Sequence, residues 1–395
     1  MELNEFRPLD GKRVVMGITA SISLYRSPDV VRELRREGAE VIVAMSREAA
    51  ELLNPSVLEW ASENKVITEI TGRIEHINLF FGRQQNTVYL VSPASYNVIG
   101  KMANGISDDV PSLLFSFALG HGIKTLISPA MHEDMLTNPV NQKNLDYLEY
   151  LGVEVIPPRR ADYKAKLAET VTISDFVNRA FRPKLLGGKN ILIVSGRGEE
   201  PIDPVRTISN RSTGETGYTL ARTAYRMGAS VSFVGNSSEM LPDYIDFHEA
   251  HSMDEFIRET LKLTNKNLDA IIVPAALPDF SPVQAKERKI SDAENLKLEL
   301  KKTPKLINEL RKKYDGLIVA FRLSHKDDTS VHFSESKPDI VVYNPIPDGH
   351  SAIERTRFSY TINYGDGKIN LNDVSKNDLA YNLLKIVSEK ATAVK

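Results

Sequence analysis

The stretch ILIVSGRGEEPIDPVRTISNRSTGETG, residues 191–217, decides the fold of this chain. It opens with an aliphatic run, which is typical of a strand buried on both faces of a parallel sheet. A loop rich in glycine, proline and acidic residues follows, and residues 218–224 are then good helix formers. This order of strand, polar loop and helix predicts an α/β domain that begins just before residue 191.

The second half of this stretch has residue types that suit an anion. A helix N-terminus leaves backbone N–H groups unpaired, and such groups bind phosphate. Ser212 and Thr213 add hydroxyl donors, while Gly214 and Gly217 permit close approach to the backbone. No Gly-Lys-Ser/Thr sequence closes the loop, so it is not a P-loop. On these residues alone, an ordinary helix start after a strand is an equally good interpretation.

The composition limits what the chain can be. At 395 residues it exceeds the size of one compact core, which predicts two domains. A net charge of −2 predicts neither a nucleic-acid-binding surface nor a basic membrane-binding patch. The absence of cysteine excludes disulfides, thiolate metal ligands and a cysteine nucleophile. Because there is no signal-like segment and no apolar run of about 18 residues, we expect a cytoplasmic protein without a membrane partner.

The first half of the chain begins with another strand–loop–helix unit. Residues 14–18 and 41–45 are apolar strand patterns, and a small polar loop, residues 19–23, follows the first of them. Ser27 before Pro28 predicts a helix with Ser27 as its N-cap. The resulting β-α-β order indicates a parallel sheet.

Further strand patterns, residues 88–91 and 125–127, each precede the sequence Ser-Pro-Ala. Open α/β sheets bind ligands at the carboxyl ends of their strands, where these loops lie. The loop at residues 19–23 lacks the glycine fingerprint of dinucleotide-binding folds, which favours a mononucleotide such as FMN. A two-domain nicotinamide-dependent dehydrogenase is a distant alternative, which binding of NAD(P)H would support.

The second half follows a basic connector that contains glycine and proline, residues 181–189. We place the boundary near residue 186, with domains at residues 1–186 and 187–395. Thr303 before Pro304 predicts a helix with Thr303 as N-cap. The remaining patterns predict strands at residues 230–234, 269–273, 298–300, 317–321 and 337–344, a hairpin at 358–362 and 368–371, and a final helix at 376–389.

The order of several motifs gives the chain a resemblance to a known family. The first half resembles the homo-oligomeric flavin-containing cysteine decarboxylases in GITASI at residues 17–22, His76, PASYN at 93–97 and PAM at 129–131. The second half resembles phosphopantothenate–cysteine ligase in DPVR at 203–206, ISN at 208–210 and PAALPDF at 274–280. In this order, the two halves resemble the bifunctional coenzyme A biosynthesis family, in which phosphopantothenoylcysteine decarboxylase is fused to that ligase.

For the first half, the resemblance implies a flavodoxin-like sheet that binds FMN between the subunits of a homo-oligomer. His76 matches the catalytic histidine, and Met131 and His132 match substrate-binding positions. In the family, the flavin oxidises the cysteinyl group to a thioaldehyde, which loses CO2 as an ene-thiolate, and reduced flavin returns the electrons. The positions expected to bind FMN are Thr19, Ser21, Ser46, Ser95 and Asn97.

The first half departs from the family pattern at two places. His132 stands where the family has the Asn that binds the substrate carboxylate, and the chain lacks the Cys that reprotonates the ene-thiolate. Residues 157–164 occupy the region of that Cys, where Tyr163 or Lys164 could donate the proton. The alternative is an FMN-binding scaffold that no longer decarboxylates and presents an active ligase.

For the second half, the resemblance implies a Rossmann-like domain that joins cysteine to 4'-phosphopantothenate with CTP and Mg2+; ATP stays open as the nucleotide. Arg206 and Asn210 would contact the substrate, and the Asn210 amide would also stabilise the oxyanion. Lys289 would stabilise the departing pyrophosphate, although residues 286–289 also resemble a solvated charge run. Asp279 would help to bind the metal ion. The positions expected to bind CTP are Val273, Pro274, Ala275, Asp279, Lys289, Pro304, Lys305, Leu306, Ile307, Phe321 and Lys337.

Overall fold

The structure is a computed structural model that describes residues 7–71, 75–161, 164–181, 184–237, 240–291, 297–324, 337–345, 357–365 and 367–393. The chain forms two compact units, Met1–Arg182 and Pro183–Lys395. In the described ranges, no helix has both the length and the apolar character needed to cross a membrane. The division into functional domains near residue 186 stays a prediction.

The elements of the first unit alternate between strands and helices. Its strands are β1 (Arg13–Ile18), β2 (Glu40–Met45), β3 (Thr87–Ala94), β4 (Lys124–Pro129), β5 (Met131–His132), β6 (Glu154–Val155), β7 (Arg159–Ala161) and β8 (Lys164–Lys166). Its α-helices are α1 (Ser27–Arg36), α2 (Arg47–Leu52), α3 (Pro55–Ser62), α4 (Glu75–Phe80), α5 (Tyr96–Ala103), α6 (Val110–Gly120), α7 (Glu133–Leu136), α8 (Pro139–Tyr150) and α9 (Thr170–Phe181). Short 3₁₀ helices at Ile22–Arg26 and Gln84–Asn86 precede α1 and β3.

The first unit is built on a parallel five-stranded sheet in the order β2-β1-β3-β4-β6. Val15 of β1 lies opposite Ile42 of β2 and Tyr89 of β3. This order is that of flavodoxin-like sheets, and it brings the loops after β1, β2, β3 and β4 to one edge. The flavodoxin-like fold is confirmed, as are the strands predicted at residues 14–18, 41–45, 88–91 and 125–127.

A small antiparallel sheet in the order β5-β8-β7 follows the end of β4. Met131 and His132, which form β5, pair with β8, and β8 pairs with β7. We call the antiparallel pair of β7 (Arg159–Ala161) and β8 (Lys164–Lys166) the flap hairpin. Tyr163, which the sequence suggested as a proton donor, lies outside the described residues.

Helix α1 begins differently from the prediction. Ser27 is the first residue of the helix rather than its N-cap, because the 3₁₀ helix at Ile22–Arg26 runs directly into α1. The capping serine is instead Ser21, whose hydroxyl accepts a hydrogen bond from the Ser23 N–H at 3.4 Å. The polar loop after β1 therefore ends at Ser21.

The elements of the second unit follow the same alternation. Its strands are β9 (Asn190–Ser195), β10 (Glu199–Pro201), β11 (Thr207–Ser209), β12 (Ser230–Gly235), β13 (Asp246–Glu249), β14 (Ala270–Val273), β15 (Phe280–Pro282), β16 (Leu300–Lys302), β17 (Leu317–Ser324), β18 (Ile340–Pro345), β19 (Phe358–Tyr364) and β20 (Gly367–Val374). Its helices are α10 (Glu215–Arg226), α11 (Met253–Leu263), α12 (Leu306–Arg311) and α13 (Lys376–Ala393).

The second unit is built on an eight-stranded sheet in the order β13-β12-β9-β14-β17-β18-β19-β20. Ile193 of the central strand β9 lies opposite Phe233 of β12 and Ile272 of β14. The strands from β13 to β18 are parallel in the Rossmann order, so the strand order reverses at β9 and β14, where such sheets bind ligands. The Rossmann-like fold is confirmed, and so is the antiparallel hairpin β19–β20, whose Asp366 lies outside the described residues.

Two boundaries around β16 differ from the prediction. The strand expected at residues 298–300 is displaced to β16, where it pairs with β15. Thr303 caps no helix, because its hydroxyl donates to the Pro278 carbonyl at 2.5 Å. Helix α12 begins later, with Lys305 as its N-cap. The threonine therefore closes the β15–β16 hairpin instead of starting a helix.

Candidate functional sites

Thr19 connects the loops that follow β1 and β3. Its buried hydroxyl donates to the Pro93 carbonyl at 2.8 Å and accepts from the Ser95 N–H at 3.0 Å. Because the donor and an acceptor position of this hydroxyl are both used within the protein, Thr19 fixes the relative position of two loops that are predicted to bind FMN.

The other residues predicted to bind FMN lie at the same edge of the sheet. The Ser21 hydroxyl donates to the Ala130 carbonyl, after β4, at 3.1 Å. Ser46 and Ser95 are N-caps, accepting from N–H groups of α2 and α5 at 3.2 and 3.4 Å. Asn97, the second residue of α5, is exposed. The structure thus brings the loops after β1, β3 and β4 together through side-chain hydrogen bonds.

Two buried serine hydroxyls lie at this edge of the sheet. Ser92 in β3 and Ser128 in β4 are fully buried, and within the described residues their hydroxyls have no hydrogen-bond partner. Buried polar groups are normally satisfied, so unused hydroxyls at the carboxyl ends of two neighbouring strands fit a ligand with many polar atoms.

His76 lies in α4, and its side chain lies outside the described part of the structure. The same holds for residues 72–74, which precede this helix. The catalytic role of His76 therefore stays a prediction.

The predicted substrate residues lie against the flap hairpin. Met131 is half-buried and His132 is exposed, and His132 pairs through its backbone with Lys164, whose side chain is outside the described residues. Sequence reasoning missed the buried Asn141 of α8. Its Nδ2 donates to the Leu136 carbonyl at 3.1 Å and contacts the Met131 Sδ at 4.0 Å. Asn141 therefore supports Met131 from within the protein, and nothing in the local sequence signals this contact.

An ionic bridge anchors the flap hairpin. The Glu169 carboxylate pairs with Arg159 of β7 at 3.0 Å and with Arg26, which precedes α1, at 2.6 Å. Sequence reasoning missed this bridge because its members are far apart in the chain. Among the described residues, no group of three or more His, Asp or Glu side chains is placed to hold a metal ion.

The second predicted site lies at the carboxyl ends of β9 and β14. Asn210, exposed just after β11, donates from Nδ2 to the Ala276 carbonyl at 3.2 Å. The Ser209 hydroxyl donates to the Gly198 carbonyl at 2.9 Å, and the Gly198 N–H donates to the Ala276 carbonyl at 3.1 Å. The predicted catalytic amide is therefore fixed between the loops that follow β9 and β14.

The glycines of the anion-suited loop have structural roles. Gly214 adopts a left-handed backbone, with φ of 79°, and is the N-cap of α10. A Cβ at Gly217 would lie 2.1 Å from the Ser195 Oγ, so only glycine permits α10 to pack on β9. The hydroxyls of Ser212 and Thr213 accept long hydrogen bonds, both 3.4 Å, from N–H groups of the same loop. The sequence had suggested that these glycines let a ligand approach the backbone. In the structure, they set the backbone conformation of the loop and the packing of α10.

The residues predicted to bind CTP lie along the β14–β17–β18 part of the sheet and its loops. Asp279 and Lys305, both exposed, form an ion pair. The side chains of Val273 and Leu306 are buried in the hydrophobic core, so only their backbone groups can reach a nucleotide. The remaining positions are half-buried or exposed, namely Pro274, Ala275, Lys289, Pro304, Ile307, Phe321 and Lys337.

Arg206 is oriented by a buried carboxylate. Its guanidinium pairs with Asp203 at 2.6 Å. Burial opposes ionisation of Asp203, but hydrogen bonds from the N–H groups of Val205 and Ile290 and from Arg206 outweigh it and lower the pKa of this carboxyl well below its usual value. Asp203 is therefore ionised at neutral pH. From the sequence, Asp203 was named only as part of the DPVR motif and was given no role.

A cavity of about 780 Å³ is lined by residues that follow β9 and β12 and by residues of β13. Its lining includes Ser212 and Thr213 of the anion-suited loop, with Arg197, Asn236 and His251. Among the described residues that line it, none belongs to the positions predicted for CTP. The cavity therefore gives no support to those positions.

Family comparisons match both units. The family described as Flavoprotein matches residues 2–182. The family described as DNA/pantothenate metabolism flavoprotein C-terminal domain matches residues 186–391.

Two relatives are similar over most of the chain. The coenzyme A biosynthesis bifunctional protein CoaBC of Thermococcus kodakarensis is 37% identical over 322 residues, which cover 80% of this chain and 79% of that protein. The CoaBC protein of Methanocaldococcus jannaschii is 33% identical over 339 residues, which cover 85% of this chain and 82% of that protein. The crystal structure of the C-terminal domain of a CoaBC protein is 26% identical, with 52% of this chain and 97% of that domain covered and a TM-score of 0.43. The chain belongs to the family of coenzyme A biosynthesis bifunctional proteins CoaBC.

Proposed function

We propose that the second unit joins cysteine to 4'-phosphopantothenate with CTP and Mg2+, and that the first unit decarboxylates the product with FMN to give 4'-phosphopantetheine. As a member of its family, the chain is a bifunctional enzyme of coenzyme A biosynthesis. The observation that supports the ligase most directly is the position of Asn210, held against Ala276 between the loops after β9 and β14.

The ligase reaction has two steps. In the first, a carboxylate oxygen of phosphopantothenate attacks the α-phosphorus of CTP and pyrophosphate leaves. In the second, the amine of cysteine attacks the acyl carbon, loses a proton and displaces CMP. Asn210 would donate to the oxygen that gains charge in the second step, while Lys289 would stabilise pyrophosphate in the first.

The charged residues near β14 fit a magnesium triphosphate. Magnesium is usually bound by one or two carboxylates together with substrate phosphates and water. Asp279 is a single exposed carboxylate of this kind, and Lys305, now paired with it, would turn to the triphosphate.

The first unit fits FMN at the edge that Thr19 and Ser21 hold together. The buried hydroxyls of Ser92 and Ser128 offer polar contacts at this edge. Bound FMN supplies reversible two-electron oxidation of the cysteinyl group. His76 would move a proton during this reaction.

His132 stands where the family has Asn, and the chain has no Cys. These two differences would change how the first unit binds its substrate and how it returns the proton. A protonated His132 would bind the substrate carboxylate in place of the family's Asn. The flap hairpin lies beside His132, so a residue of that hairpin would return the proton that the missing Cys supplies elsewhere. We also propose that the enzyme is a cytoplasmic homo-oligomer.

A coupled assay tests both halves. Purified protein receives 4'-phosphopantothenate, cysteine, CTP and Mg2+, and pyrophosphate, phosphopantothenoylcysteine and CO2 are measured. We expect pyrophosphate and CO2 together. A His76→Asn variant should abolish CO2 release, with a loss of roughly 100-fold or more, and should leave pyrophosphate release unchanged.

Each contrary outcome removes one part of the proposal. No pyrophosphate with either CTP or ATP would overturn the ligase. Accumulation of phosphopantothenoylcysteine without CO2, with flavin bound, would replace the decarboxylase by a flavoprotein scaffold.

A further inference from the structure

Asp203 lies in the turn from Ile202 to Arg206, and its side chain is fully buried. Its Oδ1 accepts from the N–H groups of Val205 and Arg206, both at 2.8 Å. Its Oδ2 accepts from the Arg206 guanidinium at 2.6 Å and from the Ile290 N–H at 3.1 Å. Both oxygens are thus saturated, which is the condition for keeping a charged carboxylate buried.

The bond to Ile290 reaches the segment that includes Lys289. The Ile290 carbonyl also accepts from the Arg206 guanidinium at 3.1 Å. At the other end of this segment, residues 286–290, the first N–H donates to the Ile202 carbonyl at 2.9 Å. The segment is therefore tied at both ends to the Asp203 turn, and Lys289 lies between the two ties.

Few other contacts hold this segment. Residues 283–291 form neither helix nor strand. Within the described residues, the exposed side chains from Lys286 to Lys289 form no hydrogen bond or ion pair. The backbone bonds to the Asp203 turn are therefore the main restraint on the position of Lys289.

We propose that Asp203 is a positioning residue of the ligase, which fixes Lys289 relative to Arg206; this inference rests on the ligase function proposed above. Both cations are predicted to act on the substrates, and one carboxylate oxygen, Oδ2, orients Arg206 and anchors the Lys289 segment. Asparagine cannot replace it, because only one of its two terminal atoms accepts hydrogen bonds. If the asparagine oxygen takes the place of Oδ1, its NH2 group takes the place of Oδ2 and faces the N–H donors of Arg206 and Ile290.

The test is the Asp203→Asn variant of the full-length enzyme. At saturating substrates, we expect kcat for pyrophosphate release to fall by about 10- to 100-fold, because small displacements of a catalytic group have effects of this size. In a Lys289→Ala background, the same substitution should have a clearly smaller effect, because only the part that acts through Arg206 is left. Trypsin should also cut the variant faster than the wild type after Lys286, Arg288 and Lys289.

A second aspartate, half-buried and also hydrogen-bonded to a backbone N–H and a cation, provides the matched control. Asp269 accepts from the Asn190 N–H at 2.9 Å and from Lys189 at 3.0 Å, at the opposite edge of the same sheet. Asp269→Asn should lower thermal stability without changing kcat or the cleavage of residues 286–289. If Asp203→Asn fails to fold, Ile290→Pro removes the N–H that Oδ2 accepts. It should lower kcat in the same way and speed cleavage after Lys286 and Arg288, since trypsin does not cut a Lys–Pro bond.

The outcomes separate the two ideas. A wild-type enzyme that releases no pyrophosphate overturns the ligase function, and the trypsin result then decides whether Asp203 anchors the segment. A normal kcat in Asp203→Asn overturns the positioning role. The positioning role is also overturned if Asp269→Asn lowers kcat as much as Asp203→Asn does. It is overturned as well if Asp203→Asn has its full effect on kcat in the Lys289→Ala background.

Discussion

In the first unit, the polar side chains of the predicted site bond to neighbouring loops: Thr19 joins the loops after β1 and β3, and Ser21 reaches the loop after β4. In the second unit, Asp279 and Lys305 are 66% and 61% exposed and pair with each other. Buried hydrogen bonds support the fold, whereas exposed ion pairs contribute little to it. We therefore expect substitutions in the first site to reduce stability, and those at the exposed pair to affect substrate binding alone.

The largest effect on stability is expected for Thr19→Val. This change leaves the Pro93 carbonyl and the Ser95 N–H without their partner, and it should lower the free energy of unfolding of the first unit by about 1–3 kcal/mol. Flavin absorbance during urea unfolding measures this, and FMN affinity should fall as well. Thr19→Ser keeps the hydroxyl and should behave nearly as the wild type. If the valine variant were as stable as the wild type, the first site would contribute no more to stability than the exposed pair of the second site.

A smaller, pH-dependent effect is expected at Asp109, the N-cap of α6. Although burial opposes its ionisation, hydrogen bonds from Lys101 and Ser112 lower the pKa of Asp109. Because the folded pKa lies below the unfolded value of about 3.9, the stabilisation is present above that pH and is lost as the pH falls through the folded pKa. Asp109→Asn should therefore reduce the free energy of unfolding by about 1 kcal/mol at pH 7.

Urea unfolding at several pH values checks this prediction. The difference between Asp109→Asn and wild type should shrink below about pH 4. Asp108 pairs with the same Lys101 at 2.7 Å but is 60% exposed, so Asp108→Asn should have less than half the effect. A difference that stays constant down to acid pH would contradict the role given to the ionised carboxylate.

The smallest effect on stability is expected for Lys305→Met. Loss of the exposed pair with Asp279 should change the free energy of unfolding by less than about 0.5 kcal/mol. The KM for CTP should nevertheless rise several-fold, since a cation near the triphosphate is lost. Initial rates of pyrophosphate release measure the KM. Lys301→Met in β16 is the control, and a similar rise there would mean that general charge, rather than this position, matters.

The strands of both sheets could be predicted because apolar runs between polar loops depend on local sequence. The errors have two causes, a side chain that bonds to a distant group and a local turn that moves the start of a helix. Thr303 has the sequence of an N-cap, yet its hydroxyl bonds to Pro278 in another loop. Ser27 lost the same role to a 3₁₀ turn that begins after Ser21.

The candidate sites also contain features that motifs predict and features that depend on contacts between distant residues. The order of motifs predicts which residues form each site, and those assignments stay predictions. The sheet topology explains why the loops that carry these motifs meet at one edge. The supporting contacts could not be named, because the Asp203–Ile290 bond joins residues 87 positions apart and has no local signal. Glu169, which bridges Arg26 and Arg159, is a second example.

The flap hairpin has a consequence for amide hydrogen exchange. In the part of the hairpin that the structure describes, two residues of β5 pair with β8, whereas β1 and β3 pair through five residues. Breaking so short a ladder requires a local opening, while amides of β1 exchange only when the unit unfolds. The amides of residues 164–166 should therefore exchange at rates that low denaturant concentrations hardly change. Access to Met131 and His132 would then require no movement of the five-stranded sheet.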